Sequence, residues 1–126
     1  MEEIQNELKL GIGTEEAITL KPSIVKVLSV KIEIVGEKKK AKKIVCEVKH
    51  PDKEEPIHIS ALKFEYKGKL EVSGLWLNTD SKGLIRKGSA LAVFLQAVGS
   101  KDISGLENRE IQTTTDDKGY LCFKAY

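Results

Sequence analysis

The spacing of apolar residues changes once along this chain, and that change is the strongest constraint on its fold. From residue 24 to residue 77, apolar and polar side chains mostly alternate, which is the period of a β-strand. The segment GSALAVFLQAVGS, residues 88–100, breaks this alternation. Its Leu91, Phe94 and Val98 recur at three- and four-residue intervals, as on one face of a helix. The chain is therefore predicted to carry one helix between two groups of strands.

The residues that flank this segment define the ends of the helix. Ser89 can accept a hydrogen bond from the first helical turn, and Gly99 suits the left-handed conformation that often ends a helix. We expect the helix at about residues 88–99. We also expect Phe94 and the leucines of this segment to fill the core rather than to contact a ligand.

Four runs with strand character precede the helix. They are residues 24–35, 44–48, 57–66 and 70–77. In the first run, Lys31 and Glu33 lie opposite an apolar face. That face consists of the even-numbered residues Leu28, Val30, Ile32 and Ile34. The third run changes phase between Ile59 and Leu62, which predicts a bulge or a break between two short strands.

Two further strands follow the helix, and the order of elements indicates a fold class. The last two runs, near residues 109–115 and 120–126, are joined by the turn Asp116–Gly119. This order matches the OB-fold, a five-stranded Greek-key barrel whose helix lies between the third and fourth strands. An SH3-like or other small barrel is the alternative, although such barrels rarely have a three-turn helix at this point.

The OB-like pattern sets the predicted domain organisation. A chain of 126 residues is long enough for one hydrophobic core, so we expect a single domain. Within it, residues 1–21 form an acidic N-terminal extension and residues 22–126 form the barrel. The composition, 40% hydrophobic and 32% charged, is typical of a globular protein.

The sequence offers no feature of an exported or membrane protein. No apolar run approaches the roughly 20 residues that span a bilayer. The start, MEEIQNELKL, is acidic and lacks the layout of a signal peptide. We therefore expect a cytoplasmic protein, in which Cys46 and Cys122 are small buried hydrophobes rather than a disulfide.

Catalytic, cofactor and metal signatures are missing from the sequence. His50 precedes Pro51 at a strand end, and His58 alternates with two isoleucines as an exposed strand residue would. The histidines and cysteines lack zinc-like spacing. No serine stands in a G-x-S-x-G elbow, and Gly11-Ile12-Gly13 lacks the rest of a dinucleotide fingerprint. We expect neither an enzyme nor a bound cofactor or metal ion.

Lysines gather in the turn between the first two strands. Residues 21–53 contain ten lysines and four acids, whereas residues 1–20 contain five acids and one lysine. We call the turn the lysine tip; its lysines are Lys38, Lys39, Lys40, Lys42 and Lys43. In an OB-fold the loop between the first two strands and the loop between the last two flank the binding groove, and here only the first is basic. The lysine tip is either the rim of a groove for an anionic ligand or a turn kept soluble by its charge.

Aromatic residues of the neighbouring strands supply the second part of a nucleic-acid site. Trp76 lies between Leu75 and Leu77, so a strand that buries the leucines turns the indole outward. Tyr66 is the second candidate for stacking. Further lysines lie close to it in sequence: Lys63, Lys67 and Lys69. Proteins hold single strands by stacking bases on aromatic rings and by cationic contacts to phosphates. The alternative is that Trp76 and Phe64 fill the barrel.

The last 40 residues carry a further pattern. They combine a Ser-x-Leu helix start, a helix that ends in Gly, and a Leu-x-x-x-x-Ile segment before a final hairpin. The residues concerned are Ser89, Leu91, Leu95, Gly99, Leu106, Ile111 and Gly119. In this pattern the chain resembles small viral and phage single-stranded-DNA-binding or replication-associated proteins. Asn108-Arg109 departs from the Gly-Lys that such proteins often have. The resemblance implies an OB-type fold first and single-strand binding in viral or phage replication second.

Two hypotheses about function follow from the sequence. The first is non-enzymatic binding of single-stranded DNA or RNA, with little sequence preference, by the lysine tip, the other lysines, Tyr66 and Trp76. The second is a protein-interaction barrel, a viral accessory or assembly factor, whose lysines serve only solubility. In either case the acidic extension of residues 1–21 is a candidate contact for a protein partner or a second subunit.

Overall fold

The computed structural model describes residues 20–38 and 40–126, which are mostly β-structure. The strands of these ranges are β1 (Ile24–Val35), β2 (Ala41–Lys49), β3 (Ile57–Ile59), β4 (Ala61–Tyr66), β5 (Lys69–Gly74), β6 (Glu110–Thr115) and β7 (Leu121–Ala125). The only α-helix of these ranges, α1, is Ala90–Val98, and a 3-10 turn at Ser104–Leu106 connects it to β6. No helix in the described ranges has the length and apolar character needed to cross a membrane.

The seven strands form one mixed sheet in the order β3-β2-β1-β6-β7-β4-β5. Only β4 and β7 run parallel among the neighbouring pairs of the described chain. Strand β3 lies at one edge of the sheet and β4 lies next to the other edge, yet Ser60 alone separates them in the chain. Neighbouring strands lie about 4.8 Å apart, so a single residue cannot bridge a flat sheet of this width. The sheet must therefore curl until its two ends approach each other.

The mostly-β class and the position of the helix agree with the prediction, whereas the five-stranded OB barrel is not confirmed. The third run does break at its change of phase, since β3 ends at Ile59 and β4 begins at Ala61. Lys67 and Gly68 have φ angles of 51° and 78°, the left-handed conformation of a tight hairpin turn. This turn folds β5 back onto β4. The broken run and the extra hairpin together raise the strand number to seven.

Helix α1 has the caps and the buried face that its sequence predicts. The Ser89 hydroxyl accepts a hydrogen bond from the Ala92 amide at 3.2 Å, and Gly99 ends the helix with φ 74°. The buried face lies against β4 and β7. Within it, the Phe94 ring stacks on Phe123 with the ring centroids 4.9 Å apart. The helix therefore covers one side of the curled sheet and completes the core.

The apolar face predicted on β1 contributes less to the core than its pattern indicates. Val25 and Val27 are fully buried, but a register shift between Val27 and Ser29 marks a bulge that reverses which residues face inward. Beyond the bulge, Ile32 is 49% exposed and Ile34 is 63% exposed. Strand β1 pairs with β6 only at its start, so its outer half extends past the packed part of the sheet.

His50, predicted only as a strand end, is a fully buried polar residue. Its Nε2 lies 2.8 Å from the Lys21 carbonyl, and its Nδ1 accepts a hydrogen bond from the Asp52 amide at 3.0 Å. A carbonyl can only accept and an amide N–H can only donate, so these partners select the tautomer that carries the proton on Nε2. The imidazole joins the start of the described chain to the end of β2.

Candidate functional site

The start of β2, which carries Lys42 and Lys43 of the lysine tip, lies against the segment that follows β5. The Ile44 amide donates to the Leu75 carbonyl and the Leu77 amide donates to the Lys42 carbonyl, both at 2.8 Å. Lys43 and Trp76 form an isolated antiparallel bridge between these bonds. Residues 75–77 therefore act as a short additional pairing partner of β2, and they bring the only tryptophan of the sequence beside the tip.

The indole of Trp76 points away from the core, as the alternation of its neighbours predicts. Leu75 is fully buried and Leu77 packs against the core, so the residue between them faces the other side of the strand. The Lys43 ammonium lies 5.0 Å from the centroid of the Trp76 ring. At this distance the cation is attracted to the π-face of the indole, which holds the ring close to the tip.

Gly74 gives the indole its place. A Cβ atom at this position would lie 2.7 Å from Trp76 Nε1, closer than side chains tolerate, and in tight contact with Lys43 Cε at 3.2 Å. A glycine in a strand permits a close approach, which here is made by the Trp76 side chain. The half-buried state of Trp76 thus depends on the lack of a side chain two residues earlier.

A small loop supplies the opposite wall. Thr79 and Ile85 form a bridge, and the Asp80 carboxylate accepts hydrogen bonds from the amides of Lys82 and Leu84 at 2.9 and 3.0 Å. The loop places Arg86 next to the segment after β5. The Arg86 guanidinium donates to the Thr79 carbonyl at 3.1 Å, which orients this charged side chain beside the tip.

Together these parts enclose an open cleft of about 650 Å³. Its lining residues are Lys40, Ala41, Lys42, Trp76, Leu77, Asn78, Thr79 and Arg86. The lining contains three cationic side chains, an aromatic ring and no carboxylate. Such a surface attracts anions, and its indole offers a flat apolar contact. The hypothesis drawn from the sequence did not include Arg86, Asn78 and Thr79. The one sequence feature that could have indicated them is a basic residue, Arg86, in the loop that follows Trp76.

The structure does not bring Tyr66 to this cleft. Tyr66 pairs with Lys69 across the β4–β5 hairpin, so the two side chains share one face of the sheet with the buried Phe64. Trp76, at an even position after β5, lies on the other face. Tyr66 is 52% exposed, and the Lys67 ammonium lies 5.4 Å from its ring centroid. Tyr66, Lys67 and Lys69 therefore make a second cationic-aromatic cluster, separate from the cleft.

The remaining predicted lysines occupy different surroundings. Lys63 donates a hydrogen bond to the Thr115 carbonyl at 3.3 Å and lies opposite Lys124 of β7. Lys38 is exposed in the turn without lining the cleft. Lys39 lies outside the described residues, as does most of the acidic extension. Of the predicted lysines, the structure therefore gathers Lys40, Lys42 and Lys43 around Trp76.

The acidic turn between the last two strands lies away from the lysine tip. Strand β6 runs antiparallel to β1, with Gln112 opposite Ile24. The Asp116–Gly119 turn therefore lies beyond the start of β1, whereas the lysine tip follows its end. Because the two turns lie at opposite ends of β1, the carboxylates of the acidic turn do not line the cleft.

The lining of the cleft contains no cysteine, histidine or carboxylate side chain. Both cysteines are free and buried, and burial raises the pKa of the Cys46 thiol to about 12 and that of Cys122 to about 11. A thiol of so high a pKa is a poor nucleophile at neutral pH. Within residues 20–38 and 40–126, no three His, Cys, Asp or Glu side chains are grouped as a metal site requires.

Comparisons of the chain with protein-family models, with curated proteins and with solved structures return no match.

Proposed function

We propose that this protein binds single-stranded DNA or RNA at the cleft between the lysine tip and Trp76, without catalysis and with little sequence preference. One observation carries the proposal: three cationic side chains and a half-buried indole line one cleft that has no carboxylate in its lining. A solvated turn needs charge but has no need of an aromatic ring. An apolar docking surface would bring the ring without such an excess of charge.

The arrangement fits the two kinds of contact that hold a single strand. Lys40, Lys42 and Arg86 neutralise phosphates and release counterions, a term that does not depend on sequence. Trp76 offers its π-face to a base, and stacking tolerates any base because each has a π-face. Asn78 and Thr79 add a few hydrogen-bonding groups at the rim. A surface in which charge and stacking dominate binds many sequences with similar affinity.

We further propose that the curled sheet is an OB-type barrel with one added hairpin strand. Strands β3 and β4 count as the two halves of one strand, which pairs with β2 through its first half and with β7 through its second. The parallel pairing of β4 with β7 and the location of α1 between β5 and β6 agree with that topology. On this barrel the lysine tip is the loop between the first two strands, one of the loops that border OB-fold binding sites.

Titration of the intrinsic fluorescence of Trp76 with oligo-dT, oligo-U and duplex DNA at two salt concentrations tests the proposal. Trp76 is the only tryptophan, so its emission reports on the cleft alone. We expect the single strands to quench the emission and their affinity to fall as salt rises. The Lys40→Gln/Lys42→Gln/Arg86→Gln variant should bind more weakly, and the magnitude of the negative slope of log K against log salt should decrease by up to about 2.

A matched variant controls for total charge. Lys53→Gln/Lys101→Gln/Lys118→Gln removes three exposed charges outside the cleft, and it should retain most of the affinity and slope. Equal losses in the two variants would indicate general charge attraction without a cleft site. If no oligonucleotide binds at low salt, the proposal is wrong and the protein-interaction hypothesis gains support.

A further inference from the structure

The outer half of β1 has an edge that no strand of the described residues covers, here called the free edge. On one side, β1 pairs with β2 along its length as far as Val35. On its other side, it pairs with β6 only from Ile24 to Lys26, and the backbone of Val27 then bonds to Asn108 and Arg109. From residue 28 to residue 35, no strand of the described chain pairs with this edge. Unpaired amides and carbonyls of this kind are a template for another strand.

Exposed aliphatic side chains accompany this edge. Ile32 is 49% exposed, Ile34 is 63% exposed, and Val30 on the same face is half-buried. These three side chains are consecutive on one face of β1, so the aliphatic strip is continuous along the edge from Val30 to Ile34. Such a strip is costly to leave in water unless another surface covers it.

We propose that the free edge of β1 pairs with the same edge of a second copy of this chain, antiparallel and about a twofold axis at Ile32. This edge is on the side of β1 that faces away from β2, whose Lys42 lines the cleft, and the proposed pairing does not rest on the proposed function. A twofold contact is the commonest way in which identical subunits associate, and it requires a patch that is complementary to itself. The residues around Ile32 meet that requirement.

Charge complementarity sets the register. With Ile32 opposite the partner's Ile32, Lys31 lies opposite the partner's Glu33, and Glu33 opposite the partner's Lys31. Each copy contributes one cation and one anion, so two cross-strand ion pairs form on one face. Within one copy the same two side chains already make an ion pair at 3.2 Å along the strand, which shows that they lie on a common face.

The aliphatic face agrees with the same register. Val30 lies opposite the partner's Ile34, and each Ile32 meets its own copy, so six aliphatic side chains join across the edge. A shift of the axis to Lys31 places two lysines opposite each other, and a shift to Glu33 does the same for two glutamates. A twofold axis between two residues, such as Lys31 and Ile32, places a charged side chain opposite an aliphatic one. Only the axis at Ile32 matches both faces.

A lysine on a free edge usually discourages strand addition, and Lys31 has that position. A copy aligned about Ile32 offers Glu33 opposite Lys31 and Lys31 opposite Glu33. An edge of another sequence would have to match both charges at once. The edge therefore favours self-association over indiscriminate pairing.

Sedimentation velocity of the full chain over a range of concentrations, without nucleic acid, tests the inference. We expect a reversible monomer–dimer equilibrium. Lys31→Glu places like charges opposite each other at two symmetric positions and should raise the dimer dissociation constant by about tenfold or more. Glu33→Lys should do the same. The double variant Lys31→Glu/Glu33→Lys exchanges the charges and should restore the dimer.

The other edge strand offers a matched control. Lys69 and Glu71 of β5 are likewise an exposed cation and anion two residues apart, so Lys69→Glu makes the same charge change away from β1. It should leave the dimer unchanged. A monomer at every concentration would overturn the inference and would fit a covering of the edge by residues 1–19. A dimer that responds to Lys69→Glu but not to Lys31→Glu would overturn it as well.

Discussion

At the scale of single residues, the cleft depends on the small size of Gly74. The indole of Trp76 packs against this residue, and the Lys43 ammonium lies over the ring. The role is steric: the φ angle of Gly74 is not among the positive ones, so other residues could adopt its backbone conformation. A residue with a side chain would not leave room for the indole ring of Trp76. Glycine usually weakens a strand, but at this position it is part of the candidate site.

We predict that Gly74→Ala displaces the indole while the fold survives. The added methyl group would lie 2.7 Å from Trp76 Nε1, so the ring must turn toward solvent. The Trp76 emission should shift to longer wavelength, and single-strand binding should weaken. The loss should not exceed that of Trp76→Ala, for which we expect about 1–3 kcal/mol. An unshifted emission maximum, with binding unchanged, would contradict the assigned role of Gly74.

At the scale of elements, α1 is stabilised by local capping and by packing against β4 and β7. Nine residues are too few for a stable isolated helix in water, so packing must supply most of its stability. At its C-terminal end the Arg109 guanidinium donates to the Val98 carbonyl at 2.6 Å and brings a positive charge to the negative end of the helix dipole. The caps define where the helix begins and ends, while the core determines that it forms.

We predict that Ser89→Ala lowers the free energy of unfolding by about 1 kcal/mol, because the Ala92 amide loses its hydrogen-bond acceptor. Urea denaturation followed by circular dichroism measures the loss. Ser81→Ala, in the exposed loop after Asn78, removes a hydroxyl without a capping role and is the control. An equal effect of both changes would show that the cap does not contribute to stability.

At the scale of the whole molecule, the core holds two thiols in their neutral form. Cys46 is fully buried on β2, and this burial raises its pKa from the ordinary 9.0 to about 12. The thiol of the unfolded chain ionises near pH 9, whereas the folded one does not. At alkaline pH, ionisation of the thiol therefore stabilises the unfolded state, whereas the folded state gains no such stabilisation until the pH approaches 12.

The expected consequence is a loss of stability as pH rises from about 9 toward 12. Each such thiol lowers the free energy of unfolding by up to about 1.4 kcal/mol per pH unit in this window and has no effect below it. Comparing denaturation of the wild type and of Cys46→Ala at pH 7, 9 and 10.5 isolates the effect, because lysine titration is common to both. The variant should lose less stability than the wild type between pH 9 and 10.5. If the free energy of unfolding falls equally with pH in both proteins, Cys46 ionises as readily in the folded state as in the unfolded state.

Local patterns account for much of what could be predicted from the sequence. The helical spacing and caps located α1, the change of phase located the break at Ser60, and the parity of Leu75 and Leu77 gave the direction of Trp76. Each of these depends on neighbours in the chain, where side-chain direction follows from the backbone period. The lysine tip was visible for the same reason.

Other features required contacts between residues far apart in sequence. The alternation of β1 predicts an apolar face but not how far the core extends beneath it, so the exposure of Ile32 and Ile34 was not foreseen. His50 looked like a strand end because its partner Lys21 lies 29 residues earlier. The grouping of Arg86 with Lys42, and the separation of Tyr66 from Trp76, follow from strand register.

The sequence by itself determined where strands, turns and the helix lie and which way most side chains point, since periodicity and capping are local properties of the chain. The tertiary structure decided which of those side chains meet. Among the described strands, β6 pairs only with the start of β1 and leaves the aliphatic edge uncovered, and pairing of residues 75–77 with β2 places the indole among cations. Both outcomes depend on strand register and sheet curvature, which arise only when distant segments pack on a common core.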